Sequence, residues 1–142
     1  MIMIKPTAGG GVDAIVASAL RAQQARMRVI AENMANSGST GATPGADPYR
    51  GQLPVFTVLK LGEDRGVRLK TVKPDRSPFP KVYDPGHPAA DASGYLKRPN
   101  VDGLVQALDM KEAQRAYEAN LNVMENMHAM EKAALSILDK KA

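Results

Sequence analysis

The distribution of proline constrains this chain more than any other feature. Proline lacks the amide proton that a helix interior needs, and nine of the ten prolines lie between Pro44 and Pro99. The segments 12–37 and 104–142 contain neither Gly nor Pro and are rich in Ala, Leu, Met, Glu, Gln, Lys and Arg, which favour helices. The sequence therefore predicts a mainly α protein in which two long terminal helices flank a middle segment with a small β element.

This pattern divides the chain into three parts. We expect a flexible leader at 1–11, a terminal helical domain made of 12–37 and 100–142, and a middle segment at 38–99 that contains a β-hairpin and turn-rich extended chain. The leader includes three consecutive glycines, but the lysine and serine or threonine of a phosphate-binding loop do not follow them. A flexible leader is therefore the favoured interpretation.

A mostly apolar set of residues in the first helix recurs at alternating spacings of four and three. This spacing places them on one narrow face, as in a coiled coil. We call this set the N-terminal seam, and it comprises Val16, Leu20, Gln23, Met27, Ile30 and Met34. The helix is expected to end near Asn36, Ser37 and Gly38, because glycine readily adopts the left-handed conformation of a helix C-cap.

The C-terminal helix carries two adjoining apolar faces, and Asn100 is its expected N-cap. The main stripe comprises Met110, Ala113, Tyr117, Leu121, Met124, Leu135 and Leu138. The second stripe lies beside it and comprises Ala116, Val123, Met127, Ala134 and Ile137. We expect the two helices to pack as a coiled-coil-like pair that leaves the second stripe exposed.

A long exposed apolar face usually marks an interface. Two helices can cover each other's seams, but the second stripe has no partner within a monomer of this design. The sequence therefore predicts assembly through the terminal helices, with an interface that comprises Val16, Leu20, Met27, Ile30, Met34, Met110, Tyr117, Leu121, Met124, Met127, Leu135 and Leu138.

The middle segment is expected to contain a β-hairpin. Residues 55–61 and 67–72 have the composition of strands, and the second alternates apolar with basic residues. Residues 62–66 join them at a length typical of a hairpin loop. A short strand is also expected at 81–83. Because an isolated two-stranded hairpin is marginal in water, it must pack on a helix or on a neighbour.

Composition excludes several classes of function. The chain has no cysteine, which removes disulfides, thiolate nucleophiles and cysteine-ligated zinc. Its net charge of +4 arises mainly between Arg65 and Lys81, where Phe79 is the single aromatic residue. A groove for single-stranded nucleic acid would need aromatic residues between its basic ones. We therefore interpret the basic run as an exposed strand face and predict no nucleic-acid partner.

His87 and Asp91 are four residues apart, and a histidine near a carboxylate can bind a metal or act as a general base. Pro85 and Pro88 make a helix improbable here, so this spacing does not place the two side chains on one face. We interpret the segment as a structural turn. The sequence predicts no catalytic residue, no metal ligand and no cofactor.

Several motifs resemble those of bacterial flagellar rod and hook proteins. Residues 18–23 and 26–36 are similar to the N-terminal signature of that family. More specific motifs resemble the proximal rod proteins of the basal body, and these are residues 47–50, 83–91, 94–95, 98–101 and 117–121. The resemblance as a whole extends over about residues 15–138, which is nearly the whole chain.

This resemblance implies a structural subunit and not an enzyme. Family members assemble through their terminal helices into the rod, a helical drive shaft that carries motor torque across the periplasm for motility. The implied partners are further copies of the chain, the proximal rod proteins FlgB and FlgF, the rod–export-gate adaptor FliE, the distal rod protein FlgG and the flagellar type III export apparatus. Insertion into a membrane is not expected.

The opening residues bear on export. The apolar stretch Met1–Ile4 ends at Lys5 and Pro6, far short of the apolar core of a secretory signal. We therefore expect export without a cleaved Sec signal. Two alternative functions stay open on the residues alone, a stable monomeric helical hairpin that binds or regulates another protein and a small cell-wall hydrolase, which would need converging carboxylates.

Overall fold

The structure is a computed structural model that describes residues 11–141. In chain order its elements are helix α1 (Val12–Ala35), strands β1 (Gln52–Leu61), β2 (Asp64–Pro74), β3 (Lys81–Tyr83) and β4 (Tyr95–Lys97), and helix α2 (Gly103–Asp139). Two terminal helices and a small antiparallel β element between them are confirmed. The expected leader lies outside the described residues except for Gly11.

Strands β1 and β2 form the predicted hairpin, but with a tighter turn than expected. Leu61 pairs with Asp64, so only Gly62 and Glu63 connect the strands. Gly62 has a φ of +66°, a conformation that glycine adopts without the strain of a β-carbon. The sequence pattern placed the whole segment 62–66 in the loop because its charged and glycine residues lack the composition of a strand.

Strands β3 and β4 form a second antiparallel pair. β3 was predicted, whereas β4 was not, because three residues are too few to show strand alternation. Gly94 has a φ of +84°, and a β-carbon there would lie 2.8 Å from the ring of Tyr83. This glycine therefore allows the turn that brings β4 beside β3.

The two helices pack antiparallel. Near one end the Nε2 of His128 lies 3.4 Å from a carboxylate oxygen of Asp13, and further along Arg26 lies 3.4 Å from Glu112. α2 has 37 residues and α1 has 24, so α2 extends past the first turn of α1. We call residues 129–139 the α2 overhang, and every one of them is exposed.

The β1–β2 hairpin packs on α1, as expected, because a two-stranded hairpin is only marginally stable by itself. The hydroxyl of Ser18, which is 1% exposed, donates to the carbonyl of Ile15 at 2.7 Å and accepts the backbone N–H of Val67 at 3.1 Å. A β-carbon on Gly66 would collide with the Ser18 hydroxyl. The absence of a side chain at Gly66 therefore lets the strand approach the helix.

Helix α1 ends where expected but without a left-handed glycine, and the expected N-cap of α2 was wrong. Asn36 is the C-cap of α1, with a φ of −104°, and Gly38 is not in the left-handed region. At the start of α2 the carboxylate of Asp102 accepts the N–H groups of Leu104 and Val105. An anionic cap also complements the positive end of the helix dipole, and Asn100 serves a different contact.

Few apolar side chains in the described part of the chain are fully buried. They come from both helices and from the segment around β4, and they are Val16, Ala22, Val29, Ile30, Ala89, Leu96 and Ala113. Most are small, as the scarcity of aromatic residues in the sequence suggests. The subunit therefore has a thin core.

Candidate assembly surface

The N-terminal seam is only partly covered within the subunit. Val16 and Ile30 are buried, at 5% and 4% exposure, whereas Met34 is 39% exposed. The other three members, Leu20, Gln23 and Met27, are half-buried. Apolar contact area on this face is therefore still available to another molecule.

A second face of α1 is buried, and the sequence pattern missed it. It comprises Ser18, Ala22, Val29 and Asn33, which recur at spacings of four, seven and four and so lie on one side of the helix. Ser18 and Asn33 hydrogen-bond to the hairpin. Two of the four residues are polar, so a search for apolar periodicity could not find this face.

The main stripe of α2 changes character along the helix. Ala113 is fully buried, and its neighbours along the stripe on both sides are half-buried, namely Met110, Tyr117, Leu121 and Met124. Leu135 and Leu138 are 62% and 66% exposed. The structure therefore places the first part of the stripe in the subunit interior and leaves its last two members in the α2 overhang.

The second stripe of α2 is more open. Ala116 and Met127 are half-buried, whereas Val123, Ala134 and Ile137 are exposed. Further apolar side chains are exposed along the same helix, namely Leu104, Val105, Leu108 and Met130. α2 thus presents apolar surface from its first turn to its last.

A polar cluster joins the elements near the end of α1. The buried side chain of Asn33 hydrogen-bonds to β1, to α2 through Gln106 and to the hydroxyl of Tyr49. Burial raises the pKa of the Tyr49 phenol above its usual value of 10.0, and the carboxylate of Glu32 raises it further. Tyr49 therefore stays a neutral hydrogen-bond donor over the ordinary pH range.

A second cluster holds the segment after β2. Arg50 donates to the carbonyl oxygens of Asp75 and Ser77 at 2.6 and 3.1 Å, and its guanidinium lies 4.1 Å from the ring centre of Phe79. Asn100 accepts the N–H of Gly51 and donates to both of those carbonyl oxygens. The residue expected to cap α2 instead ties the base of the hairpin to the chain that leads into α2.

The geometry around His87 is that of a turn. Its Nδ1 accepts the N–H of Ala89 at 3.0 Å, so the ring proton lies on Nε2, which is 3.3 Å from the hydroxyl of Thr40. A carboxylate oxygen of Asp91 accepts the N–H groups of Ser93 and Tyr95. Both side chains thus support the local backbone.

Three further features bear on function. Within residues 11–141 no group of three or more His, Asp or Glu side chains is placed to hold a metal ion. Neither helix of that part of the chain has a stretch long and apolar enough to span a bilayer. In the basic run, Phe79 is half-buried, and the guanidinium of Arg50 covers one face of its ring.

Comparison with known proteins identifies the family. The model of the flagellar basal body rod FlgEFG protein C-terminal family matches residues 92–137, which include β4 and most of α2. A flagellar basal-body rod protein FlgC from Agrobacterium fabrum is 42% identical over 127 residues, covering 87% of this chain and 91% of the relative. The chain belongs to the FlgC family.

More distant FlgC proteins support this assignment. The FlgC protein of Salmonella typhimurium is 40% identical over 118 residues, covering 82% of this chain and 87% of the relative. That of Bacillus subtilis is 34% identical over 142 residues, covering 87% and 93%. The resemblance seen in the sequence motifs is confirmed, and the chain is a structural subunit of the flagellar basal-body rod.

Proposed function

We propose that this FlgC protein assembles through α1 and α2 into the wall of the proximal rod, where it carries torque as part of a helical drive shaft and has no catalytic role. The observation that carries the proposal is the apolar surface of α2, which continues past the end of α1. At a rise of 1.5 Å per residue, the α2 overhang extends about 16 Å. We expect a neighbouring subunit to cover a helix end with this much exposed apolar surface.

The free energy available from burying apolar side chains of the α2 overhang supports assembly. Complete burial of one large apolar side chain contributes about 1.5–3 kcal/mol, and four such residues in the overhang are more than 60% exposed, namely Met130, Leu135, Ile137 and Leu138. Each copy in a helical assembly makes the same contacts. We therefore propose that the predicted twelve-residue interface buries its remaining exposed surface against neighbours, with coiled-coil-like packing of the helices.

The middle segment, 38–99, is the outer part of the subunit in this proposal. The hairpin is attached to α1 through Ser18 and Asn33, and the basic residues of β2 are exposed on it. Interspersed charge keeps such a strand surface solvated. The terminal helical domain, 12–37 and 100–142, forms the wall.

The partners follow from the family resemblance. They are further copies of this chain, FlgB, FlgF, the adaptor FliE and the distal rod protein FlgG, with delivery through the flagellar type III export apparatus and without a cleaved Sec signal. Family membership favours this structural role over a monomeric binding protein or a cell-wall hydrolase.

The variant Ile137→Asp tests the proposal. Ile137 is 61% exposed in the subunit, so a carboxylate there leaves the isolated fold intact, but it would have to be desolvated in a packed rod wall. We expect normal thermal unfolding of the purified chain, normal secretion, and loss of rods in electron micrographs together with loss of swimming.

The matched control is Ser136→Asp, which places the same charge on the adjacent, exposed residue and about 100° around the helix. This control should retain rods. Wild-type numbers of basal bodies in the Ile137→Asp strain would refute assembly through this face of α2.

A further inference from the structure

The side chain of Asn33 meets three other segments at one point. It is 3% exposed, and both ends of its amide are used twice. Its Oδ1 accepts the N–H of Gln52 at 2.8 Å and the hydroxyl of Tyr49 at 2.9 Å. Its Nδ2 donates to the carbonyl of Gln52 at 2.9 Å and to Oε1 of Gln106 at 3.3 Å. Every donor and acceptor of the amide therefore has a partner.

The orientation of this amide is determined by the backbone. A side-chain amide can often be turned over without a clear loss of hydrogen bonds. Here the N–H and C=O of one residue, Gln52, meet opposite ends of Asn33, and a backbone group cannot exchange donor for acceptor. The amide thus pairs with the first residue of β1 much as a neighbouring strand would.

The hairpin is attached to α1 at two separate places. Ser18 holds β2 near the start of the helix, and Asn33 holds β1 near its end. At 1.5 Å per residue these points are about 22 Å apart along the axis. Attachment at one point would allow the hairpin to pivot on the helix, whereas attachment at two points prevents it.

We propose that Asn33 is a positioning residue that holds the hairpin, the segment before β1 and the start of α2 in one fixed orientation. Its hydrogen bonds to Gln52, Tyr49 and Gln106 are the physical link between these three parts. The consequence for the rod rests on the proposed function: a repeating wall needs every copy to present the same surfaces in the same relative positions.

Distance measurements on the full chain test this proposal. Because the sequence has no cysteine, spin labels can be attached specifically at cysteines introduced in place of Arg68 on β2 and Arg115 on α2, which are both exposed. The variant Asn33→Asp keeps an acceptor for Tyr49 and the N–H of Gln52, but it turns a carboxylate oxygen toward the Gln52 carbonyl. We expect the distribution of label distances to broaden at least about twofold at pH 7.

The matched control is Asn120→Asp. Asn120 is half-buried in α2 and, within residues 11–141, donates only to the carbonyl of Ala116 in its own helix. Its substitution should leave the distance distribution unchanged. A distribution for Asn33→Asp as narrow as that of the unsubstituted chain would overturn the proposal, and this result would not depend on whether rods form.

A fall in pH distinguishes loss of the hydrogen-bond donor at position 33 from a nonspecific disruption of packing by the substitution. A protonated carboxyl regains one O–H donor, so the distribution for Asn33→Asp should narrow again as the pH falls from 7 to about 4. Among the described residues, the ionisable groups that face this site are Tyr49, which donates to Asn33, Arg26 and Asp109, which line the same cavity, and Glu32 near Tyr49. A width for Asn33→Asp that stays constant across this pH range contradicts the assignment.

Two milder variants keep the proposal testable if Asn33→Asp does not fold. Gln106→Ala and Tyr49→Phe each remove one hydrogen bond of Asn33 and leave its backbone pairing with Gln52 intact. Each should broaden the distribution by less than Asn33→Asp would. Unchanged widths in both variants would show that the hydrogen bonds of Asn33 do not position these elements.

Discussion

The covered part of α2 and the α2 overhang are made of similar residues but have opposite surroundings. Ala113 is fully buried and Leu121 is half-buried against the rest of the subunit, whereas Leu135 and Leu138 in the same stripe are more than 60% exposed. Apolar periodicity therefore continues where the intramolecular partner has ended. In the proposed assembly, one helix would therefore serve two purposes, folding of the subunit in its first part and contact with neighbours in its last part.

The two parts also differ in polar contacts. Near the end of α1 the buried cluster of Asn33 links α1, β1 and α2, and Ser18 links α1 to β2. Among the described residues, no side chain of the α2 overhang hydrogen-bonds to another element. We expect the covered part to be ordered in the monomer and the overhang to gain its stability on assembly.

The largest expected loss of stability is that of Leu121→Asp in the covered part of the stripe, and the same substitution is made in the overhang for comparison. Complete burial of a leucine contributes about 1.5–3 kcal/mol. Leu121 is half-buried, so Leu121→Asp removes part of this contribution and adds the cost of burying a carboxylate. We expect the free energy of unfolding in urea to fall by about 2–4 kcal/mol.

Leu138→Asp is the control for this effect. Leu138 is 66% exposed, so its substitution should change the free energy of unfolding of the isolated chain by less than about 0.5 kcal/mol. Equal losses in the two variants would show that the overhang is as well packed in the monomer as the covered part, and our division of α2 would be wrong.

The contact between the hairpin and α1 should have an intermediate effect. In Gly66→Ala the new β-carbon collides with Ser18 and lies about 3.0 Å from Leu61, and overpacking of this kind costs about 1–3 kcal/mol. Thermal unfolding should show this loss of stability as a lower melting temperature for Gly66→Ala than for the unsubstituted chain.

A double-mutant cycle with Ser18→Ala sharpens this result. Removal of the hydroxyl makes room for the methyl group, so the two losses should not add. Strict additivity of the two losses would show that Gly66 and Ser18 do not meet, and that the hairpin is not held at this place.

Among the variants expected to lose stability, Tyr49→Phe should lose the least. Loss of its hydrogen bond to Asn33 should cost about 1 kcal/mol at pH 7. Because the folded protein raises the pKa of Tyr49, folding favours the neutral phenol. This stabilisation is complete below the ordinary pKa of 10.0 and is lost as the pH rises through the raised value.

The alkaline part of the pH profile checks this assignment. Urea unfolding from pH 8 to 12 should show a steeper fall in stability for the unsubstituted chain than for Tyr49→Phe. Parallel profiles would mean that Tyr49 is not buried against Asn33, which would also remove one of the contacts that distinguish the covered part from the overhang.

Sequence alone was sufficient for the coarse architecture. The placement of prolines located both helices to within a few residues, because a proline inside a helix loses a hydrogen bond and clashes with the preceding turn. The alternation of apolar and basic residues located the hairpin for a similar local reason. The motifs around His87 and Tyr117 indicated the family, which the comparisons confirmed.

Tertiary structure decided what depends on contacts between distant residues. The buried face of α1 includes Ser18 and Asn33, whose partners lie 49 and 19 residues away along the chain, and no local pattern shows that a polar side chain will find such partners. The cap of α2 at Asp102 and the role of Asn100 were misassigned for the same reason, since both residues can cap a helix and only the position of Gly51 decided between them. The point where α1 stops covering α2 was likewise set by the antiparallel alignment of the helices, because apolar periodicity records which face of a helix seeks a partner but not how far along the helix that partner extends.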